Sequence, residues 1–236
     1  MSHLNIWAVV PIKPFASAKT RLAGVLTPPQ RRQLARLMAQ DVLHTLANSR
    51  RLAGILVVTA DPEAAALAQS YGAEILPEPA AAGINRALAL AAYRLTDNSD
   101  TSAMIVVPTD LPQMTTATIV RLFDFLSERP SIALVPATED GGTNLLALRP
   151  ARIIRTCFGA NSFEHHRKAA RDAGISPSIV RTSELGRDID RPEDLDAFIS
   201  LRTATRSHAF LVSLALTERS TESPKPVAAQ TTRPAL

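Results

Sequence analysis

The sequence predicts a doubly wound α/β fold: a mostly parallel sheet with helices on both faces. Three observations predict it. Short, continuous apolar runs recur along the chain; segments with helical apolar spacing lie between them; and cap or turn residues mark many of the boundaries. The first run, Ile6 to Ile12, is apolar throughout, as expected of a central parallel strand covered on both faces. A polar loop follows, then a helix opening at Thr27-Pro28, where threonine can cap and proline suits the first turn. Leu34, Leu37, Met38, Val42 and Leu46 keep helical spacing along it. Gly54 to Ala60 is a second buried strand. Asp61-Pro62 caps a short helix that Gly72 ends, and Ala73 to Leu76 is a third strand.

Gly83 to Leu95 reads as a helix, and Ala103 to Val107 as a fourth strand running straight into Pro108-Thr109-Asp110. Thr115 to Leu126 is then a helix and Ile132 to Val135 a strand, after which the rhythm changes. Thr143 to Leu148 is a strand, Ser162 to Ala173 a helix, Ile179 to Thr182 a short strand, and Leu185 to Asp190 leads into a helix at Pro192. Residues 1–201 form one expected domain and 202–236 a C-terminal extension. Within the extension, the apolar stretch Phe210 to Leu216 can pack on the body or on a second subunit, which makes a homodimer an expectation. Ser220 to Leu236, rich in Pro, Thr, Ser and Ala, is expected to be disordered.

The bulk properties narrow the function. With 236 residues, 46% of them hydrophobic and 4% aromatic, the chain can pack one sizeable core largely from Ala, Leu and Val. Its net charge of +4 is spread along the chain without interleaved aromatics, which gives no indication of nucleic acid and suits a phosphate-bearing substrate. A single cysteine, Cys157, rules out an internal disulfide framework and a cysteine-based zinc cluster. No stretch approaches the roughly 20 apolar residues that span a bilayer, and the first apolar run is too short for a secretory leader, so a cytoplasmic location is expected.

In doubly wound sheets ligands bind beyond the carboxyl ends of the strands, which selects Pro11 to Arg21, Thr59 to Asp61 and Thr109-Asp110. The first loop carries Lys13, Lys19 and Arg21 among small residues, cations suited to a triphosphate, although a merely solvated basic loop has the same composition. No Walker A pattern is present. Asp110 ends a buried strand, where a carboxylate is costly unless a cation compensates it; turn capping is the plainer explanation. Asp188 and Asp190 flank Ile189, so an extended backbone turns both carboxylates the same way, and Mg²⁺ suits such a set together with Asp110 because it keeps sites open for phosphate oxygens. Asp190 can equally cap the helix at Pro192, whose first turn Glu193 and Asp194 serve. The Asp140 to Asn144 turn and the Phe158 to Phe163 helix start are anion-binding candidates, or an ordinary hairpin and cap. His165-His166 lacks a partner at metal spacing and is expected on a surface face. Trp7 is expected in the core and Cys157 half-buried.

The segments VVPIKPFASAKTRL, VVTADPE, EPAAAGINRAL, VVPTDLP, DGGTNLLALRP, FGANSFEHH and RDIDRPEDL, in this order from Ile6 to about Ile199, resemble the CofC/FbiD family of guanylyltransferases in coenzyme F420 biosynthesis. The resemblance implies a single-domain, Rossmann-like nucleotidyltransferase fold of the glycosyltransferase-A-like type. It implies transfer of GMP from GTP to 2-phospholactate, phosphoenolpyruvate or 3-phosphoglycerate, with release of pyrophosphate. It also implies Mg²⁺ on Asp110, Asp188 and Asp190, the phosphorylated acid at Thr143, Gly159 and Ser162, and the triphosphate at Lys13, Lys19 and Arg21 beside Pro11. Gly83 and Asn85 fall in a segment near the guanine. Hand-over of product to the next pathway enzyme is a further expectation. The quoted motifs stop at about Leu201. Two other readings remain open: a nucleotidyltransferase for another acceptor, such as molybdenum cofactor or a sugar phosphate, and a non-catalytic nucleotide-binding regulator. The first calls for a glycine-rich phosphate loop where Ala16, Ser17 and Ala18 stand, and retention of all three aspartates argues against the second.

Overall fold

The structure, a computed structural model, describes residues 4–78, 83–96, 103–126, 128 and 130–221, the last six by their backbone alone. Seven strands form one sheet: β1 (Ile6–Pro11), β2 (Gly54–Thr59), β3 (Glu74–Pro77), β4 (Ala103–Val106), β5 (Ser131–Pro136), β6 (Thr143–Arg149) and β7 (Ser178–Ile179), in the order β3-β2-β1-β4-β6-β5-β7. The first four are parallel to their neighbours. β6 runs antiparallel to both β4 and β5, and β7 is parallel to β5. The change of rhythm after Val135 therefore marks a hairpin that inserts one reversed strand next to β4.

Among the described residues, eight α-helices accompany the sheet: α1 (Pro28–Ala47), α2 (Pro62–Gln69), α3 (Ile84–Thr96), α4 (Thr116–Asp124), α5 (Ser162–Asp172), α6 (Ser183–Gly186), α7 (Pro192–Ile199) and α8 (Arg206–Thr221). Alternation along β1 separates two cores. Ile6, Ala8 and Val10 face α1, α2 and α4, whereas Trp7 and Val9 face α3 and Ala170 of α5. Trp7 is thus a partly buried core residue, and its ring lies over Gly54, its register partner on β2, where any Cβ would collide.

Local chemistry explains the helix ends. Asp61 accepts from the Glu63 N–H and Thr115 from the Thr118 N–H, each filling one of the unpaired amide donors of a first turn. Thr27 precedes α1, but its N–H and hydroxyl both donate to Gln30 Oε1, so the cap works through glutamine. Most boundaries shift by only one or two residues from expectation, and two elements near the C-terminal end of the sheet differ by more. The strand placed at Ile179 to Thr182 is the two-residue β7 ending at Ile179, because Thr182 is used as the cap of α6 through the Leu185 N–H. The one-turn α6 itself, four residues ending on Gly186, is too short to show as a periodic pattern.

The apolar stretch in the extension belongs to α8. A third core joins Leu211 with Leu22, Leu26, Leu34, Met38, Ile189, Leu195 and Phe198, with Phe210 and Leu214 packed at its edge. Buried Asp41 of α1 accepts from the Arg206 and Ser207 amides and the Ser207 hydroxyl, fixing the start of α8. Of the tail expected to be disordered, Ser220 and Thr221 are the last two residues of α8, and the rest, from 222 onward, lies outside the described residues.

Candidate functional site

The parallel strands β1 and β4 release their chains at the same sheet edge, and the cleft opens there. It holds about 510 Å³ and is lined by the loop from Pro11 to Arg21, by Glu78 after β3, by Gly83, Ile84 and Ala87 at the start of α3, and by Asp110 and Asp190. The basic loop is anchored at both ends by apolar side chains: Phe15 and Leu22 are buried, each inside a short 3-10 turn. Asp61 also accepts from the Phe15 N–H at 2.9 Å, so this residue shapes the loop instead of lining the cleft. Lys19 sits in the left-handed region (φ 55°), turning the chain so that its side chain points inward.

Three sequence-distant segments meet at that ammonium. Lys19 Nζ donates to the Ile189 carbonyl at 2.7 Å and to Asp110 Oδ2 at 3.3 Å, and stands 3.7 Å from Asp190 Oδ1. Arg21 pairs with the other oxygen of Asp190. The Ile189 N–H donates to the Asp110 carbonyl at 3.0 Å, which binds the Asp188–Asp190 segment to the end of β4. Asp194 reaches back to the Asp190 and Arg191 amides, so Asp194 performs the capping, and the Asp190 side chain is left for the cations. Ile189 points into the third core; Asp190 on one side of it lines the cleft, whereas Asp188 on the other lines a neighbouring recess with Thr138, Asp140 and Gly186.

Asp188 lies next to Asp110. Burial, then the negative charge of Asp110, pushes its carboxyl up to about 6. Among the described residues no three His, Cys, Asp or Glu side chains are gathered closely enough to hold a metal ion. The donor chemistry nonetheless suits a hard divalent cation: Asp110 and Asp188 repel, and Lys19 provides a cation between Asp110 and Asp190.

The acid-binding candidates form a separate, neutral cluster. Thr143 opens β6 and Ser162 opens α5, and the Thr143 N–H donates to Ser162 Oγ at 2.9 Å. Both side chains are buried. His166, expected on a surface face, is fully buried: one helical turn after Ser162, its Nδ1 is 2.9 Å from Thr143 Oγ1 and its Nε2 accepts from the Cys157 N–H at 2.8 Å. The i,i+4 spacing put it on Ser162's face of α5 and was the available signal; its polarity argued the other way. His165 is exposed and Cys157 half-buried. The start of α5 is only partly open to an anion, because the Ser162 and Phe163 amides already donate to the Gly159 and Gly141 carbonyls.

Gly83 lines the cleft but Asn85 does not; its amide makes a two-way clasp with the Phe158 backbone, at 2.9 and 2.7 Å. Asn85 thereby links the first turn of α3 to the loop carrying Cys157 and Gly159. Gly159 adopts φ 137°, a conformation open to glycine and strained for other residues. Lys13 is exposed at the cleft edge.

A parallel β3-β2-β1-β4 sheet with an acidic and basic cleft at its strand ends is the arrangement of a doubly wound α/β protein that takes its ligand beyond the carboxyl ends of the strands. Solved structures agree on the fold. A Desulfovibrio desulfuricans G20 protein of the nucleotide-diphospho-sugar transferase type superposes with TM-score 0.74 at 18% identity, covering 91% of this chain and 97% of that one. A CMP:2-keto-3-deoxy-manno-octonic acid synthetase complexed with CTP gives 0.56 at 13%, covering 82% and 96%. The chain belongs to the family described as guanylyl transferase CofC like, whose model matches residues 6–230 and so reaches well into the extension, past the motifs ending near 201. Relatives include a phosphoenolpyruvate guanylyltransferase of Sphaerobacter thermophilus, 39% identical over 80% of this chain and 90% of its own length. A 2-phospho-L-lactate guanylyltransferase of Methanothermobacter thermautotrophicus is 34% identical over 89% and 91%. A 3-phospho-D-glycerate guanylyltransferase of Phenylobacterium zucineum is 32% identical over 79% and 86%.

Proposed function

We propose that this protein transfers GMP from GTP to the phosphate of a small phosphorylated carboxylic acid (phosphoenolpyruvate, 2-phospholactate or 3-phosphoglycerate), releasing pyrophosphate, as a step in coenzyme F420 biosynthesis. The observation that carries the reading is the convergence of Lys19, Arg21, Asp110 and Asp190 on one cleft at the strand ends. Membership of the guanylyl transferase family, with relatives named for phosphoenolpyruvate, 2-phospho-L-lactate and 3-phospho-D-glycerate, supports the choice of nucleotide and acceptor class.

In this reading Lys13, Lys19 and Arg21 hold the triphosphate, and Gly83 lets the backbone before α3 lie close to the base. Lys19 and Arg21 exchange their carboxylate partners for phosphate oxygens when the nucleotide enters. Thr143, Gly159 and Ser162 hold the acid. A phosphate oxygen of the acid attacks the α-phosphorus of GTP in line; the bond from that phosphorus to the β-phosphate oxygen breaks, and pyrophosphate departs with the electron pair. The attacking phosphate is already largely ionised near neutral pH, so no side-chain base is required, and the basic loop steadies the leaving charge. Mg²⁺ held by Asp110, Asp188 and Asp190 would supply further charge neutralisation on the phosphates. Pyrophosphate release measured with GTP, Mg²⁺ and each acid in turn tests the reading and selects the acceptor; absence of release with all three, coupled to the next enzyme in case the product is labile, would sink it.

A further inference from the structure

The buried ring of His166 has no part in the scheme above, yet its two hydrogen bonds determine where its proton sits. Its Nε2 faces the backbone N–H of Cys157, a group that can only donate, so Nε2 must be the bare nitrogen. The single proton of the neutral ring is then on Nδ1, and it is donated to Thr143 Oγ1. Burial, with a smaller contribution from neighbouring His165, pulls the ring down to about 4, so the neutral form is the one present near neutral pH.

The consequence falls on two hydroxyl groups. Thr143 Oγ1 accepts from the ring, so its own hydrogen must point elsewhere. Ser162 Oγ accepts from the Thr143 N–H, so its hydrogen is likewise directed away from that contact. Among the described residues neither hydroxyl has an acceptor for its own proton. The ring is held in place by Phe158, whose ring meets it edge-on at 4.9 Å, and Phe158 is in turn clasped by Asn85.

We propose that His166 is a positioning residue for acceptor recognition: by donating from Nδ1 it fixes the Thr143 hydroxyl as a donor toward the anionic phosphorylated acid. This rests on the reading of Thr143 and Ser162 as the acid-binding groups. The ring does not touch the reacting atoms; it acts through Thr143.

Two polar replacements divide the ring's contacts. In His166→Asn the amide nitrogen stands near the place of Nδ1 and can still donate to Thr143. In His166→Gln the amide reaches the place of Nε2, keeping the Cys157 contact while losing the one to Thr143. Steady-state kinetics should show KM for the acid raised about tenfold in H166Q and at most about threefold in H166N, with KM for GTP unchanged in both. In combination with Thr143→Val, H166Q should add nothing to the T143V effect, because both remove one path. Independent, multiplying effects, or an equal rise in KM for GTP, would overturn the proposal, as would H166N being worse than H166Q. Nitrogen-15 NMR of His166 in the unaltered protein supplies a readout apart from turnover: Nδ1 protonated and Nε2 bare is expected, and the reverse tautomer overturns the proposal. If the protein turns over none of the acids, the functional reading fails separately. The His166 nitrogen shifts on adding phosphoenolpyruvate then decide: movement supports positioning, and an unmoved ring overturns it.

Discussion

The two halves of the candidate site would hold an anion by opposite means. The half proposed for the nucleotide is a half-exposed cleft of charges, with Lys19 at hydrogen-bond distance from Asp110, and Arg21 on Asp190. The Thr143–Ser162–His166 cluster is buried and neutral, and its groups are joined by directional hydrogen bonds of 2.9 Å. The difference teaches that ion pairs, as in the first half, tolerate more than one geometry, whereas the hydrogen bonds of the second fix direction and carry no formal charge. A triphosphate suits the former, which can exchange one set of charges for another. A small acid that must be held in line for attack suits the latter.

That contrast can be broken in stages. The largest effect is expected from Asp110→Asn, which keeps the shape and hydrogen bond to Lys19 but removes the charge: pyrophosphate release should fall by about a thousandfold or more while the circular-dichroism melt stays normal. Near-normal turnover by that variant would show that the charged half does not depend on this carboxylate.

Next in size is the pH response of the neutral half. In the unfolded chain His166 takes up a proton below its ordinary value of 6.5, in the folded protein only below about 4. The unfolded state therefore binds more protons in between, so the stability present in full above 6.5 is lost as pH falls toward 4. The total is roughly 3 kcal/mol as an upper figure. Melting curves across that range should show the loss, and H166Q should flatten it. An unchanged slope in H166Q would mean other groups govern acid unfolding.

Thr143→Val should raise KM for the acid about tenfold and leave KM for GTP alone, since it removes one directional donor. Smallest is Arg21→Gln. Its side chain is 61% exposed, so the loss of one screened contact should raise KM for GTP roughly threefold, and the effect should shrink as salt is added. A salt-independent effect would place Arg21 in the directional class instead.

Much of the fold was legible because its signals are local. Ile6 to Ile12, Gly54 to Ala60 and Ala103 to Val107 read as buried strands since continuous apolar runs need cover on both faces, and the caps at Asp61 and Thr115 act within three residues. The charged residues were legible as a list: strand ends select the loops with Lys19, Arg21 and Asp110, and Asp190 stands out as one of the acidic pair around Ile189. His166 was misread because a histidine in a charged stretch looks solvated; its burial depends on Thr143 and Cys157, which lie outside its own helix. For the extension, packing on the body and on a second subunit both stood open, since Asp41, which pins the start of α8, lies 166 positions earlier in the chain.

By itself the sequence determined the strand and helix succession and the residues offered to the phosphates, because those follow from periodicity and from strand-end position. It also determined, through its motifs, the family whose model the chain matches. Only the tertiary structure decided that Lys19 bridges Asp110 and Asp190, that Asn85 clasps Phe158 instead of facing the cleft, and that α8 closes a third core under Ile189. Those contacts join segments far apart in the chain, and their formation depends on how the sheet, its reversed strand and the final helix pack, a property no local stretch of residues carries.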